Sequence, residues 1–130
     1  RKQVDIGWLL KQTLVLPSHS HGLRALIEQA AAKKKIKLDV KLEADSFRVL
    51  TSLVEEGLGY SLLPPSSVRN EVADGRLEAA AIAKPAPMRE LTLASPIDHP
   101  GSTAITLVSE LLRGELVACR EEGLWDIRLA

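Results

Sequence analysis

Apolar positions along the chain alternate between helical and strand-like spacing. Phe47, Leu50, Leu53 and Val54 share one helical face, Gly57 offers a left-handed stop, and Tyr60-Ser61-Leu62-Leu63 forms a short run without polar alternation, closed by Pro64. This predicts a helix that feeds a buried strand. Thr13 to Leu16, stopped by Pro17, predicts a second buried strand, and Leu23, Leu26, Ile27, Ala30 and Ala31 recur at helical spacing up to Lys33-Lys34-Lys35. Ile36, Leu38, Val40, Leu42 and Ala44 alternate with Lys37, Asp39, Lys41 and Glu43, the pattern of an outer strand with one wet face. With Leu14–Leu16 in the middle, the strand order is second, first, third.

Flanking segments are weaker. Asp5 is placed to cap one or two helical turns through Leu10, with Trp8 as a packing residue, and Asp45 or Ser46 is placed to cap the helix from Phe47. Val68 and Val72 stand one turn apart in a short helix ended by Gly75, placed either to meet a partner or to pack on the core, and Leu77 to Ile82 reads as a fourth strand. Lys84-Pro85-Ala86-Pro87 is a stiff connector. Beyond it, Leu91–Ala94 predicts a strand, Pro96–Gly101 a loop holding His99, and Ile105, Val108, Leu111 and Leu112 a helix to about Cys119, capped by Ser102 or Thr103. Residues 121–130, with Trp125, receive no assignment.

Strands alternating with helices make an α/β domain with a parallel central sheet flanked by helices. The 130 residues, 45% of them apolar, suffice for one core, and no apolar run approaches the length of a membrane span. Basic and acidic residues number 17 each, so no charge excess directs this chain to nucleic acid. A single cysteine, Cys119, excludes an internal disulfide and fits a reducing compartment. The opening Arg1-Lys2-Gln3, without Met, marks a processed chain or a piece of a longer one, the second being favoured.

Chemistry concentrates in the turn Ser18-His19-Ser20-His21 before the helix from Leu23. Unpaired N–H groups at a helix start, with two hydroxyls and two imidazoles, suit a carboxylate or similar anion. The competing reading is that a serine only caps the helix and the histidines are solvated. His19 and His21 have no Cys, Asp or third His nearby, so no metal is expected. Open α/β sheets bind ligands at the carboxyl ends of their strands, which adds the tip at Leu63 and Pro64. Catalytic patterns fail: Gly59-Tyr60-Ser61-Leu62-Leu63 lacks the last glycine of a nucleophile elbow, Gly57 and Gly59 precede a strand instead of following one, and Cys119 with His99 is only a pairing in sequence. No cofactor is expected.

Leu14-Val15-Leu16-Pro17-Ser18 with His21-Gly22-Leu23-Arg24, then Gly57-Leu58-Gly59-Tyr60 with Leu62-Leu63-Pro64, then Leu91–Ala94, resembles the effector-binding domain of LysR-type transcriptional regulators. The resemblance covers residues 4 to 118. It implies a type 2 periplasmic-binding-protein-like, Rossmann-like fold in which two lobes hold a small effector. On that basis residues 1–12 enter the lobe, residues 13–86 form the second lobe, and residues 87–130 are the strand and helix returning to a first lobe that this chain lacks or holds incompletely. The resemblance also implies effector contact at Ser18 to His21 and at Leu63 and Pro64, dimer contact at Val68 and Val72, a cytoplasmic setting, no membrane, no catalysis, and DNA contact only through a helix-turn-helix domain outside this sequence. A solute-binding domain and a small-metabolite enzyme using His19 or His21 are the alternatives on the same fold. Ile105, Val108 and Leu112 would be exposed without a first lobe, so homodimerisation or higher association is expected.

Overall fold

Residues 3–95 and 102–123 are described by the computed structural model. The chain falls into two units, residues 1–89 and residues 90–130.

In the first unit, β1 (Gln3–Val4) leads into α1 (Ile6–Leu9), whose cap is the expected one: the Asp5 side chain accepts from the N–H groups of Gly7 and Trp8. β2 (Thr13–Leu16) follows with the predicted bounds, and Leu14, Val15 and Leu16 are sealed from solvent, as a strand covered on both faces requires. α2 (Gly22–Lys33) places Leu23, Ile27 and Ala31 on β2, and Ile6, Leu9, Leu10, Leu14 and Leu16 complete the core.

β3 (Asp39–Glu43) pairs parallel to β2, shorter than the expected run from Ile36. The register slips between Leu14 and Val15, so that Val40 faces Leu14 while Leu42 faces Val15, with Lys41 as an extra residue. An extra residue inverts side-chain alternation beyond it. Val40 therefore packs against the core, Leu42 turns out to solvent, and Glu43 reaches back to α2.

α3 (Phe47–Glu55) buries Leu50 and Thr51, and Gly57, at φ +71°, ends it in the left-handed conformation that glycine adopts freely. The chain then returns beside β2. Tyr60 donates its N–H to Thr13 O and accepts from Val15 N–H, forming a parallel bridge to Leu14. The expected order, with β2 between its two partners, is present. The expected buried strand Tyr60–Leu63 is not: only Tyr60 pairs, it is exposed, and Ser61 to Leu63 are half-buried. Main-chain pairing along a strand needs a neighbour at every position, which an apolar run does not itself supply.

A 3-10 turn at Pro65–Ser67 leads into α4 (Arg69–Ala73), ended by Gly75 at φ +72°. The fourth strand contracts from Leu77–Ile82 to β4 (Ala81–Ile82), paired parallel with β1 in a separate two-stranded sheet. Its run of alanines gives little side-chain area for cross-strand packing.

In the second unit, Leu91–Ala94 forms no strand, and Leu91 and Leu93 are exposed. His99 and Trp125 lie outside the described residues. α5 (Thr103–Glu121) matches the predicted helix, with Ser102 at its cap position. None of its residues is buried, and Leu107, Val108, Leu111 and Leu112 form an exposed apolar stripe. Among the described residues, no helix is long and apolar enough to cross a membrane.

Candidate functional site

The parallel pairing of β2 and β3 brings the turn after Leu16 beside the turn after Glu43, and the Ala44 N–H donates to Leu16 O at 3.1 Å to hold them together. At this edge the Asp45 carboxylate meets Ser18. Oδ1 accepts from the Ser18 N–H at 3.0 Å and from Ser18 Oγ at 2.7 Å. Ser20 Oγ lies 3.0 Å from Ser18 Oγ and extends the network. Two donors stabilise the ionised form, so the Ser18 hydroxyl and N–H, with a smaller contribution from the nearby His21, hold the Asp45 carboxyl below its ordinary range against a slight opposing effect of burial. A carboxylate ligand can therefore reach the Ser18 donors only by displacing Asp45.

His21, not Ser18 or Ser20, caps α2: its Nδ1 accepts from the Leu23 N–H at 3.1 Å. The His21 ring also packs against Phe47, centroid to centroid 5.5 Å, which joins the starts of α2 and α3. His19 is turned towards α2 instead. Its Nδ1 lies 2.9 Å from Glu28 Oε1, and its Nε2 lies 3.7 Å from Glu43 Oε1 and 3.4 Å from Arg24 Nη2. The two imidazoles thus serve different partners, and among the described residues no group of three His, Cys, Asp or Glu could hold a metal.

Under the turn lies Arg24, one of two buried polar or charged residues among those described. It donates Nε to Glu28 Oε1 at 2.8 Å, Nη1 to Glu43 Oε1 at 2.9 Å, and Nη1 also to the Pro17 carbonyl at 3.0 Å. One guanidinium thereby ties α2, β3 and the residue before Ser18, using the fork geometry that suits arginine to several acceptors at once. Around the turn, Asp45, Glu28 and Glu43 outnumber the one fully engaged Arg24, and the local field favours positive or donating groups.

The second predicted locus sits apart in its bonding. Leu63 packs against the core cluster, and Pro64 O accepts from both Ser67 N–H and Ser67 Oγ. Among the described residues, no hydrogen bond links this tip to the Ser18 turn. Val68 is half-buried and Val72 more exposed, and both line a hollow beneath α4. Arg24 was visible in sequence only as the end of a motif, and Asp45 only as a helix cap. The Arg24–Glu28 pair has the i, i+4 spacing that a helix makes legible, but Glu43 stands 19 positions from Arg24 and Asp45 stands 27 from Ser18, and no local pattern signals those contacts.

Comparison with known proteins agrees with the motifs. A family model described as the LysR substrate binding domain matches residues 1–117. The HTH-type transcriptional regulator BbuR of Bordetella bronchiseptica is 31% identical over 117 residues, covering 90% of this chain and 36% of the regulator. The nitrogen assimilation regulatory protein nac of Escherichia coli is 26% identical over 127 residues, covering 97% of this chain and 42% of that protein. The chain thus spans about two fifths of the length of these curated relatives. No solved structure gives a significant match.

Proposed function

The chain belongs to the LysR substrate-binding domain family, and on that premise we propose that it senses a small effector for a cytoplasmic transcriptional regulator whose DNA-binding domain lies outside this sequence. Both relatives are named as regulators, which favours a binding domain over an enzyme or a transported-solute receptor. Effector contact is assigned to Ser18, Ser20 and His21, with His19 at the rim and Leu63 and Pro64 as a second locus. The observation that carries this reading is the Ser18–Asp45 pair: an exposed, ionised carboxylate held by two donors at the carboxyl end of a central strand. Because that carboxylate occupies the Ser18 donors, the fitting effector brings an ammonium or hydroxyl donor to Asp45; an effector carboxylate would be repelled there. Homodimerisation through α4 and the residue before it, at Val68 and Val72, is the proposed route by which an effector-dependent shift reaches the DNA-binding part. The effector must bind one arrangement better than another to shift it.

A ligand that binds the native state raises its melting temperature. The test is a thermal-shift screen of the chain against small amines, amino acids and carboxylates, repeated with Ser18→Ala and Asp45→Asn. Amine-bearing compounds should stabilise the wild type and lose their effect in Asp45→Asn. Stabilisation by carboxylates alone, strengthened by Asp45→Asn, would reverse the assigned chemistry. A hit unaffected by either substitution would move the site elsewhere.

A further inference from the structure

The hollow beneath α4 has a volume of about 380 Å³, and Val54 of α3, Leu63, Val68 and Val72 line it together with Trp8 and Tyr60. Trp8 and Tyr60 meet edge to face, ring centroids 5.5 Å apart and planes at 80°, and both remain about half exposed at 46% and 49%. Two large aromatic side chains thus sit at the boundary between the hollow and water. Well-packed interiors leave few voids larger than a water molecule, and an apolar cavity of roughly 150 Å³ already suffices for benzene. The hollow falls in the lower part of the range of small-molecule sites.

We infer that this hollow is a second small-molecule site, taking a neutral aromatic compound of one or two rings. The chemistry of the lining selects that class. Thr51 Oγ1 is spent on Phe47 O at 2.7 Å, whereas Ser61 Oγ is sealed from solvent without a hydrogen-bond partner and offers a single neutral hydroxyl, which suits an uncharged ring carrying one polar group. Apolar methyls on one side and the Trp8–Tyr60 edge on the other offer a flat ring both burial and the offset or edge contacts that aromatic groups prefer. Leu63 is common to this hollow and the second effector locus, but the rest of the lining is distinct from the polar Ser18 turn, and the inference does not rest on the effector assigned there. Its wall includes Val68 and Val72, so a bound ring would bear on the position of α4.

The test is a titration of the whole chain with indole, followed by methyl and amide NMR. Saturable shifts at the methyls of Val54, Val68 and Val72 and at the Trp8 indole N–H are expected, unchanged in Ser18→Ala and lost in Val72→Phe, which fills the hollow from an exposed helix position. Val68→Leu, a smaller enlargement, should weaken the same shifts and guards against a misfolded Val72→Phe. Shifts spread without saturation over the exposed leucines of α5, or retained in both filled variants, would overturn the inference. Val68 and Val72 signals that move with protein concentration report the dimer contact assigned to them, and if they do not also move with indole the inference is overturned.

Discussion

Replacing Arg24 by leucine should destabilise the first unit by about 3 kcal/mol, and the reasons lie in the exposure of its partners. The Arg24 side chain is 5% exposed, whereas Glu28 and Glu43 are 40% and 41% exposed. Removing one member of a buried ion pair costs about 3–5 kcal/mol, because the other is left as an uncompensated charge. Here both carboxylates can regain water once the guanidinium is gone, which places the loss at the lower end. The Pro17 carbonyl, on a fully buried residue, loses its donor as well, and an unpaired buried acceptor costs about 1–3 kcal/mol. Leucine recovers part of that sum by filling the space with apolar atoms. Urea unfolding measures the difference: with a slope of about 2 kcal/mol per molar, the midpoint should fall by about 1.5 M. Arg24→Lys should rescue little, since a single ammonium cannot span the three acceptors. A loss below about 1 kcal/mol would refute the reasoning, for it would put the pairs in the class of exposed salt bridges.

Three further outcomes are expected. His21→Ala should cost about 1 kcal/mol in the same unfolding assay through loss of the α2 cap, while His21→Asn, which keeps an acceptor, should cost less. Gly59→Ala should cost about 1–3 kcal/mol, since its Cβ would stand 2.8 Å from Thr13 O, a main-chain atom of β2 that can give way only by distorting the strand; Gly22→Ala, with nothing within 4 Å, is the control. The Asp45 carboxyl, held below its ordinary 3.8 in the folded chain, contributes stability above that value and loses it as pH falls through its own lower value. Carbon-detected NMR titration should show the Asp45 midpoint rise in Ser18→Ala; an unmoved midpoint would mean that the Ser18 hydroxyl is not its principal partner.

The sequence was most legible where a pattern is local. Asp5 capping α1, the bounds of β2, the apolar face of α2 and the glycine stop of α3 each depend on residues within a turn or two, and each is present. Strands fared worse because pairing is decided elsewhere: Tyr60–Leu63 has the apolar content of a strand but one paired residue, and Leu91–Ala94 has none. The turn at Ser18 was found by its residue types, yet its electrostatics were not. Asp45 stands 27 positions from Ser18, and only the folded β2–β3 pair brings them together. The bulge at Lys41 likewise escaped the alternation rule, and it alone explains why Glu43, not Leu42, turns towards Arg24.

β2 is bonded on one side by a segment at residues 39–43 and on the other by residue 60. During synthesis from the amino terminus, Leu14, Val15 and Leu16 emerge well before either partner exists. The most apolar strand of the unit must therefore wait, with both edges open, until later segments close two loops of unequal length around it. Closure of the Tyr60 segment should then limit folding more than formation of any helix does, and chaperone dependence should be greatest for nascent chains that end between β3 and Tyr60.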